Sequence, residues 1–237
     1  METPFQFKQF AVHQDRCAMK IGTDGVLLGA WAPLDSAPHS ILDIGSGTGI
    51  IALMLAQRSN AQEIDALEIE PNAYEQCVEN FEASPWADRL FCYHASLKIF
   101  VEEVEDPYDL IVSNPPFYNE EVTSGDRPRD MARQSSALPF KELVKSVCTL
   151  LSPNGIFATV IPFKEEILFV NLAEEVGLHL QKVTRVKGTE NADIKRSLLS
   201  FSFHKSVVED DVLVIEQQRH EYTPAYVALT KDFYLKM

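Results

Sequence analysis

Long apolar runs, leader-like segments and repeats are missing from this sequence of 237 residues. No apolar stretch is long enough to cross a bilayer, and residues 1–17 lack the basic and apolar segments of a signal peptide. Internal repeats and low-complexity linkers are also absent. We therefore expect no membrane association, and a globular protein that works in the cytoplasm.

Cysteine and histidine are few and scattered. The four cysteines, at positions 17, 77, 92 and 148, include no CxxC pair, and the six histidines include no HExxH pair. Disulfide frameworks and zinc sites need closely spaced ligands. We therefore expect no bound metal, and we interpret Cys77 and Cys92 as small buried hydrophobic residues.

Positive charge is scarce as well. The chain has 21 Lys and Arg residues against 35 Asp and Glu residues, for a net charge of −14. Phosphate binding relies on Lys and Arg. This balance argues against a protein that holds nucleic acid through its overall charge, although it leaves room for a local basic face.

The sequence does contain a regular alternation of short apolar segments with segments of helical periodicity. The predicted strands are 40–44, 64–68, 90–94, 108–113, 156–161, 178–186 and 197–204, and the predicted helices are 25–31, 50–57, 71–83, 140–151 and 164–176. Such alternation predicts an α/β fold, with a mainly parallel sheet covered by helices on both faces. The last two strands, joined without a helix, predict an antiparallel end to that sheet.

Two predicted loops, 114–138 and 187–196, are longer than their connections require. Long loops in compact domains tend to carry function, and ligands of open α/β sheets bind beyond the carboxyl ends of the strands. The first loop begins at such an end. We expect one domain over 1–237, in which an N-terminal extension, 1–39, contributes to the site of a catalytic core, 40–237.

A glycine-rich segment, Asp43-Ile44-Gly45-Ser46-Gly47-Thr48-Gly49, follows the first predicted strand and opens a helix. Its GxGxG spacing differs from the GxGxxG of dinucleotide sites, where a helix N-terminus faces a pyrophosphate. S-adenosylmethionine has no phosphate, so a tighter loop can pass under it. Glu68, at the end of the second strand, could accept hydrogen bonds from both ribose hydroxyls. The alternative is a glycine-rich turn that binds nothing.

This DxGxGxG segment resembles motif I of the class I methyltransferases. The resemblance implies a Rossmann-like fold with a seven-stranded, mostly parallel sheet whose final strand is antiparallel. It also implies S-adenosylmethionine as cofactor. Cofactor-binding positions carried over from the family are Asp43, Gly45, Gly47, Gly49, Glu68 at the ribose, Ile69 on the adenine, and Ser96, where the family usually has Asp.

A second motif, Asn114-Pro115-Pro116-Phe117, follows the fourth predicted strand. The Asn114 side-chain oxygen and the Pro115 carbonyl could each accept one N–H of a planar amino group, orienting its nitrogen and stabilising the charge that grows on it. The prolines restrict the backbone, and Phe117 offers a face for stacking. The alternative is a Pro-Pro strand terminator.

The Asn-Pro-Pro-Phe tetrad resembles motif IV of the amino-methyltransferases. The resemblance implies that Asn114, Pro115, Pro116 and Phe117 are catalytic, with Asn114 also beside the cofactor. It does not choose between adenine, guanine and glutamine amide as the methyl acceptor.

Nearly the whole chain resembles the bacterial enzymes that methylate N6 of adenine 37, next to the anticodon of a valine tRNA. The matching segments are FKQF at 7–10, MKIGTDGVLLGAW at 19–31, NPPF at 114–117, Ala-Arg at 132–133, RHEYT at 219–223 and LTKDFYL at 229–235. The resemblance implies a tRNA substrate and places Thr23 and Asp24 near the methionine end of the cofactor, where a carboxylate can pair with an ammonium. Alternatively, one of the two caps helix 25–31. Gln134 departs from the His expected in this family.

Positive charge gathers at two places that could contact RNA phosphates. The first holds Arg127, Arg129 and Arg133, and the second holds Lys187, Lys195 and Arg196, with Lys182 and Arg185 nearby. Single-stranded loops with splayed-out bases are common RNA targets. The alternative is a solvated surface, since acidic residues dilute both groups.

Three other functions share some of these motifs. A protein glutamine N5-methyltransferase of this type has an N-terminal helical domain joined to its catalytic domain. Only about 40 residues precede motif I here, too few for such a domain. Ribosomal RNA guanine N2-methyltransferases usually carry a second, duplicated domain. A non-catalytic protein that binds RNA or S-adenosylmethionine would not need an aimed pair of acceptors. We predict an enzyme without an obligate protein partner.

Overall fold

The computed structural model describes residues 3–116 and 139–237. The strands there are β1 (Phe5–Gln6), β2 (Ala11–Val12), β3 (Ser40–Ile44), β4 (Glu63–Glu68), β5 (Leu90–His94), β6 (Tyr108–Ser113), β7 (Leu151–Pro162), β8 (His179–Thr189), β9 (Ile194–Ser202), β10 (Glu209–Gln218) and β11 (Glu221–Tyr222). The helices are α1 (Thr23–Trp31), α2 (Ile50–Arg58), α3 (Pro71–Glu82), α4 (Leu97–Glu103), α5 (Phe140–Leu150), α6 (Glu166–Glu175) and α7 (Pro224–Thr230). A 3-10 turn, Phe163–Glu165, precedes α6.

Nine strands form one sheet in the order β11-β10-β8-β9-β7-β6-β3-β4-β5. The five strands from β7 to β5 are parallel, whereas β9 runs antiparallel to both β7 and β8. The α/β fold and the antiparallel strand near the end of the sheet are therefore confirmed. The sheet exceeds the predicted seven strands by β10 and β11, which come from a polar segment that we did not assign.

Two hydrophobic cores cover opposite faces of the sheet, because successive side chains of a strand point to opposite faces. Ile41 of β3 and Leu110 of β6 pack with α1, α2 and α3 on one face. Leu42 and Ile111, the next residue of each strand, pack with α4, α5 and α6 on the other. The central strands are buried on both sides, which explains their largely apolar sequence.

The prediction of a long loop at 187–196 is wrong. Strand β8 continues to Thr189 and β9 begins at Ile194, so four residues connect them. We predicted a loop because this segment is polar. Its polar side chains lie on the solvent-facing side of β8 and β9, where strands tolerate charge. The short helix α4 was also not predicted.

The two ends of the described chain meet on one side of the molecule. Phe7 forms an isolated antiparallel bridge with Tyr234, and the Lys8 N–H donates to the Phe233 carbonyl at 2.8 Å. The Lys8 ammonium also donates to the carbonyls of Lys231, at 2.5 Å, and Met237, at 3.0 Å. We call this contact the terminal clasp.

Helices that could span a membrane were sought in residues 3–116 and 139–237, and none has the length and apolarity required. In the same residues, no group of three or more His, Cys, Asp or Glu side chains could hold a metal ion.

Candidate active site

The carboxyl ends of four neighbouring strands lie along one edge of the sheet. In the strand register Ile44 of β3 is opposite both Leu67 of β4 and Ser113 of β6, and Glu68 is opposite His94 of β5. The predicted glycine loop, the residues after Glu68 and the Asn-Pro-Pro segment therefore leave the sheet side by side. This is the edge where open α/β sheets bind ligands.

The glycine loop has two kinds of glycine. Gly45 and Gly47 have φ angles of 76° and 54°, and a Cβ added to either would meet nothing within 4 Å. Gly49 has a φ of 77°, but an added Cβ would lie 2.5 Å from Cε1 of Phe81 and 2.8 Å from Sγ of Cys77. The first two glycines thus border open space that a ligand could fill, and Gly49 is required by packing against α3.

Glu68 is held by three backbone amides. Its Oε2 accepts from the Gly47 N–H at 2.8 Å, and its Oε1 accepts from the N–H groups of Ile69, at 2.9 Å, and Glu70, at 2.8 Å. The side chain is buried, at 8% exposure. A carboxylate has about four acceptor positions, and three are used here, so about one remains for a ligand hydroxyl. A second hydroxyl would have to share the Oε2 position that accepts from the Gly47 N–H.

Asp43 is fully buried beneath the loop. Its Oδ2 accepts from the Ala52 N–H at 3.2 Å, which ties β3 to the first turn of α2. Burial raises the pKa of Asp43 to about 7, with the Ala52 bond lowering it and the charge of Glu68 raising it. Among the described residues, Oδ1 has no hydrogen-bond partner. The predicted role of Asp43 at the cofactor stays a prediction.

The side predicted to hold the adenine presents an apolar and an aromatic group. Ile69 is 50% exposed, and His94 stacks on Tyr74 with ring centroids 5.1 Å apart. A hydrogen bond of 3.1 Å joins His94 Nε2 to the Ile69 carbonyl. Ser96 is the N-cap of α4, where its hydroxyl oxygen accepts from the Ile99 N–H at 3.4 Å. Its hydroxyl proton is free to donate to a ligand.

Buried polar side chains of α3 hold the N-terminal segment against the glycine loop. Asn80 Nδ2 donates to the carbonyls of His13 and Thr48, both at 2.9 Å, and its Oδ1 accepts from the His13 N–H at 2.8 Å. Gln76 Oε1 accepts from the Arg16 N–H at 3.1 Å. Sequence reasoning missed both residues, although their spacing from buried Ala73 places them on the inner face of α3.

Thr23 and Asp24 are the first residues of α1. The N-cap is Gly22 and makes no side-chain cap hydrogen bond, so the alternative that Thr23 or Asp24 caps this helix is wrong. Asp24 Oδ2 accepts from Nε of Arg196 at 2.8 Å. Two residues that we predicted for different ligands, the cofactor and RNA, are thus partners of each other. Both assignments stay predictions.

The Asn-Pro-Pro segment is fixed to its neighbouring strands by two hydroxyls. Ser113 Oγ donates to the Ile44 carbonyl at 2.9 Å, and Thr159 Oγ1 donates to the Ser113 carbonyl at 2.8 Å. Asn114 follows at once and is half-buried. Pro115 is buried and Pro116 half-buried. Phe117 lies outside the described residues.

The predicted RNA contacts differ in their surroundings. Arg127, Arg129, Arg133 and Gln134 lie outside the described residues. In the second group, Lys182 pairs with Glu209 at 3.2 Å, and Arg185 pairs with Glu166 at 2.7 Å and Asp210 at 2.9 Å. Lys187 Nζ donates to the Glu190 carbonyl at 2.8 Å, while Lys195 is exposed. Most of the positive charge of this group is therefore neutralised within the protein.

Known proteins resemble this chain over nearly its whole length. The family model described as "Methyltransferase small domain" matches residues 26–177. A protein of Flavobacterium johnsoniae is 64% identical over 234 residues, covering 98% of this chain and all of the relative. One from Bacteroides fragilis is 45% identical, covering 98% of each chain. Both are named tRNA1(Val) (adenine(37)-N6)-methyltransferase.

Solved structures show the same fold at low sequence identity. A predicted O-methyltransferase from Agrobacterium tumefaciens superposes with a TM-score of 0.69 at 17% identity, covering 89% of this chain and 96% of that one. At that identity the likeness concerns the fold alone. The high identity to curated relatives along the full length carries the assignment: this chain belongs to the tRNA1(Val) (adenine(37)-N6)-methyltransferase family.

Proposed function

We propose that this protein transfers a methyl group from S-adenosylmethionine to the exocyclic N6 of adenine 37 in a valine tRNA, as the names of its relatives state for them. The observation that carries the proposal is the adjacency of Asn114 and the glycine loop. Asn114 and Gly45 follow Ser113 and Ile44, which are opposite each other in the sheet. This adjacency supports a site in which Asn114 accepts from an amino group beside a nucleoside held by the glycine loop.

The residues around the glycine loop fit S-adenosylmethionine. Gly45 and Gly47 border open space, Glu68 keeps acceptor capacity for the ribose, and exposed Ile69 offers an apolar surface to the adenine. Asp24 would approach the ammonium group, sharing its charge with Arg196. When bound, the cofactor supplies an electrophilic methyl group on a positively charged sulfur.

Asn114 and Pro115 act on the amino group of the target base. The lone pair of N6 is delocalised into the ring, so the nitrogen is a weak nucleophile until it is correctly oriented. The Asn114 side-chain oxygen and the Pro115 carbonyl each accept one N–H, which aims the nitrogen and stabilises the positive charge that develops on it. No strong base is needed before transfer, because the nitrogen becomes acidic only as it is methylated. We propose that Pro116 restrains this backbone and that Phe117 stacks on the base.

The remaining parts of the proposal concern the whole chain. We propose that residues 1–237 act as one domain, that residues 1–39 help to form the site, and that neither a metal nor an obligate protein partner is needed. Arg127, Arg129 and Arg133 are proposed to contact the RNA backbone. A tRNA substrate implies that the protein works in the cytoplasm.

The decisive experiment is transfer of labelled methyl from S-adenosylmethionine to tRNA from cells that lack this modification, followed by nucleoside analysis. We expect a labelled N6-methyladenosine peak that maps to position 37 of valine tRNA. Label on ribosomal RNA guanine or on protein glutamine would overturn the substrate and keep the fold and cofactor.

Variants of Asn114 test the mechanism in the same assay. We expect Asn114→Ala to lower kcat by roughly 100-fold or more while tRNA binding persists, and Asn114→Asp to keep part of the activity because it retains an acceptor oxygen. Unchanged methylation by Asn114→Ala would exclude the proposed role.

A further inference from the structure

We propose that Lys98, Lys141 and Lys145 form a surface that holds the phosphate backbone of the tRNA. We call these three residues the lysine cluster. The inference rests on the proposed function and adds to it the place where this acidic protein grips its substrate.

The lysine cluster lines one cleft between two helices. Lys98 is the second residue of α4, and Lys141 and Lys145 lie one turn apart on α5. Together they border a cleft of about 480 Å³, and all three side chains are exposed. A concave surface lined by several lysines suits a chain of phosphates better than a flat one does.

The cleft lies at the catalytic edge of the sheet. Helix α4 follows the carboxyl end of β5, and α5 precedes β7, a strand parallel to β6. The first turns of both helices therefore lie at the edge where Asn114 leaves β6. Phosphates that flank a base inserted at Asn114 would pass close to this cleft.

Three basic residues near this edge are paired with carboxylates, whereas the lysine cluster is not, within the part of the chain that the structure describes. Lys182, Arg185 and Arg196 all form ion pairs with carboxylates. Within residues 3–116 and 139–237, the lysine cluster makes none. Lys141 and Lys145 are like charges at i, i+4 spacing, which destabilises a helix slightly, while Glu102 and Glu142 have helical spacings from Lys98 and Lys145 that could offset this repulsion.

The net charge of −14 does not prevent this contact. Glu102 and Glu142 also line the cleft, which leaves an excess of one positive charge there. At physiological ionic strength, exposed charges are screened beyond about 8 Å, so a phosphate in the cleft responds to these neighbours rather than to the whole protein. The flexible lysine side chains can also turn towards a phosphate while the carboxylates turn away.

The test is the salt dependence of tRNA binding by the triple variant Lys98→Ala, Lys141→Ala, Lys145→Ala. Each lost phosphate contact lowers the magnitude of the slope of log K against log salt concentration by roughly 0.7–0.9, so we expect the three substitutions to lower it by about 2–3. We also expect the KM for tRNA to rise about tenfold or more. The kcat at saturating tRNA and the affinity for S-adenosylmethionine should remain unchanged, because the lysines are exposed and do not form the cofactor site.

Two controls separate charge position from charge number. The triple Lys→Arg variant keeps the positive charges and should bind tRNA nearly as the wild type does. Lys205→Ala removes an exposed lysine that follows β9, and because β9 runs antiparallel to β7, that residue lies at the opposite edge of the sheet. We expect no change in its KM.

The binding assay needs no turnover, so the two proposals can fail separately. An unchanged salt slope and KM in the triple alanine variant would overturn the lysine cluster as a tRNA surface, whatever the wild type methylates. A fall in kcat without a change in KM or slope would also overturn it. Absence of N6-methyladenosine with wild-type protein would instead count against the proposed function.

Discussion

The hydroxyl of Ser113 donates a 2.9 Å hydrogen bond to the carbonyl of Ile44, joining the last residue of β6 to the last residue of β3. The next residues along the chain are Asn114 and Gly45. The Ser113 carbonyl in turn accepts from Thr159 at 2.8 Å. All three bonding groups are buried, so Asn114 and the glycine loop start from positions fixed to each other.

Ser113→Ala should therefore impair catalysis more than cofactor binding. The Ile44 carbonyl would lose a buried partner, at a cost of about 1–3 kcal/mol, and Asn114 would lose its fixed starting point. We expect kcat to fall about tenfold or more, because small misplacements of reacting groups are costly, with the affinity for S-adenosylmethionine nearly unchanged. Steady-state kinetics and calorimetry measure the two.

Conservative variants distinguish positioning from general stability. Ser113→Thr keeps the hydroxyl and should restore most of kcat, and Thr159→Ser should be milder than Thr159→Val. If Ser113→Ala melted at a lower temperature but kept its full kcat, the hydroxyl would serve the fold alone.

Gly49→Ala should destabilise the fold itself. The substitution forces a side chain into the left-handed region and places its Cβ 2.5 Å from Phe81. Together these effects should lower the free energy of unfolding by about 2–4 kcal/mol, as urea denaturation can measure. Gly188→Ala, where an added Cβ meets nothing within 4 Å, is a control that should be nearly neutral.

Gly47→Ala should instead weaken cofactor binding more than it destabilises the fold. The added Cβ meets nothing within 4 Å, so only the strain of a φ of 54° remains, about 1–2 kcal/mol. Because this Cβ would enter space proposed for the cofactor, we expect the affinity for S-adenosylmethionine to fall about tenfold. A variant that bound the cofactor normally would show that the open space has another use.

Two buried carboxyls should make stability fall as pH rises. Burial raises the pKa of Asp43 to about 7 and that of Asp65 to about 6, from an ordinary value of 3.8. Between about pH 4 and pH 7 the folded protein holds protons that the unfolded chain has released, so rising pH favours unfolding. The contribution is complete below about pH 4 and is lost as pH rises through the raised values.

Urea denaturation from pH 4 to pH 8 tests this sign. Relative to the wild type, Asp43→Asn and Asp65→Asn should each gain stability as the pH rises through this range, because each removes one buried titrating group. Asp88→Asn removes an exposed carboxylate and serves as a control. Parallel stability curves for Asp43→Asn and the wild type would contradict the raised pKa of Asp43.

Asn80→Ala should loosen the N-terminal segment. The change removes three hydrogen bonds, to His13 and Thr48, and should weaken S-adenosylmethionine binding about tenfold if that segment helps to form the site. Asn80→Asp should be worse, because its second oxygen would face two carbonyls. Asn72 is exposed on the same helix, and Asn72→Ala is a control that should leave S-adenosylmethionine binding unchanged. Proteolysis of the N-terminal segment, together with calorimetry, would detect the loss.

The sequence predicts best those strands whose own residues favour a strand, and it predicts poorly those that form only by pairing with another strand. Strands Ser40–Ile44, Leu90–His94 and Tyr108–Ser113 have the predicted bounds, because short segments rich in apolar and aromatic residues between turn residues favour strands. Strand β10, Glu209–Gln218, begins with three acidic residues and forms by pairing with β8. Its sequence carries little signal, since a strand near the sheet edge buries few side chains.

The site divides in the same way. Gly45 and Asn114 directly follow predicted strands, and Glu68 ends one. Their residue types indicate what chemistry each could perform without knowledge of the tertiary fold. The pairing of Asp24 with Arg196 joins residues 172 positions apart, and the lysine cluster brings together two helices separated along the chain. Neither arrangement leaves a periodic pattern or a motif in the sequence, so only the tertiary fold reveals it.

The terminal clasp bears on how the protein matures during synthesis. Phe7 emerges from the ribosome more than two hundred residues before its partner Tyr234. Until then the N-terminal segment, which Asn80 holds against the glycine loop, lacks its second anchor. On our proposal that this segment helps to form the site, incomplete chains would carry the glycine loop and the Asn-Pro-Pro segment without a finished site, and we expect little methyl transfer from them.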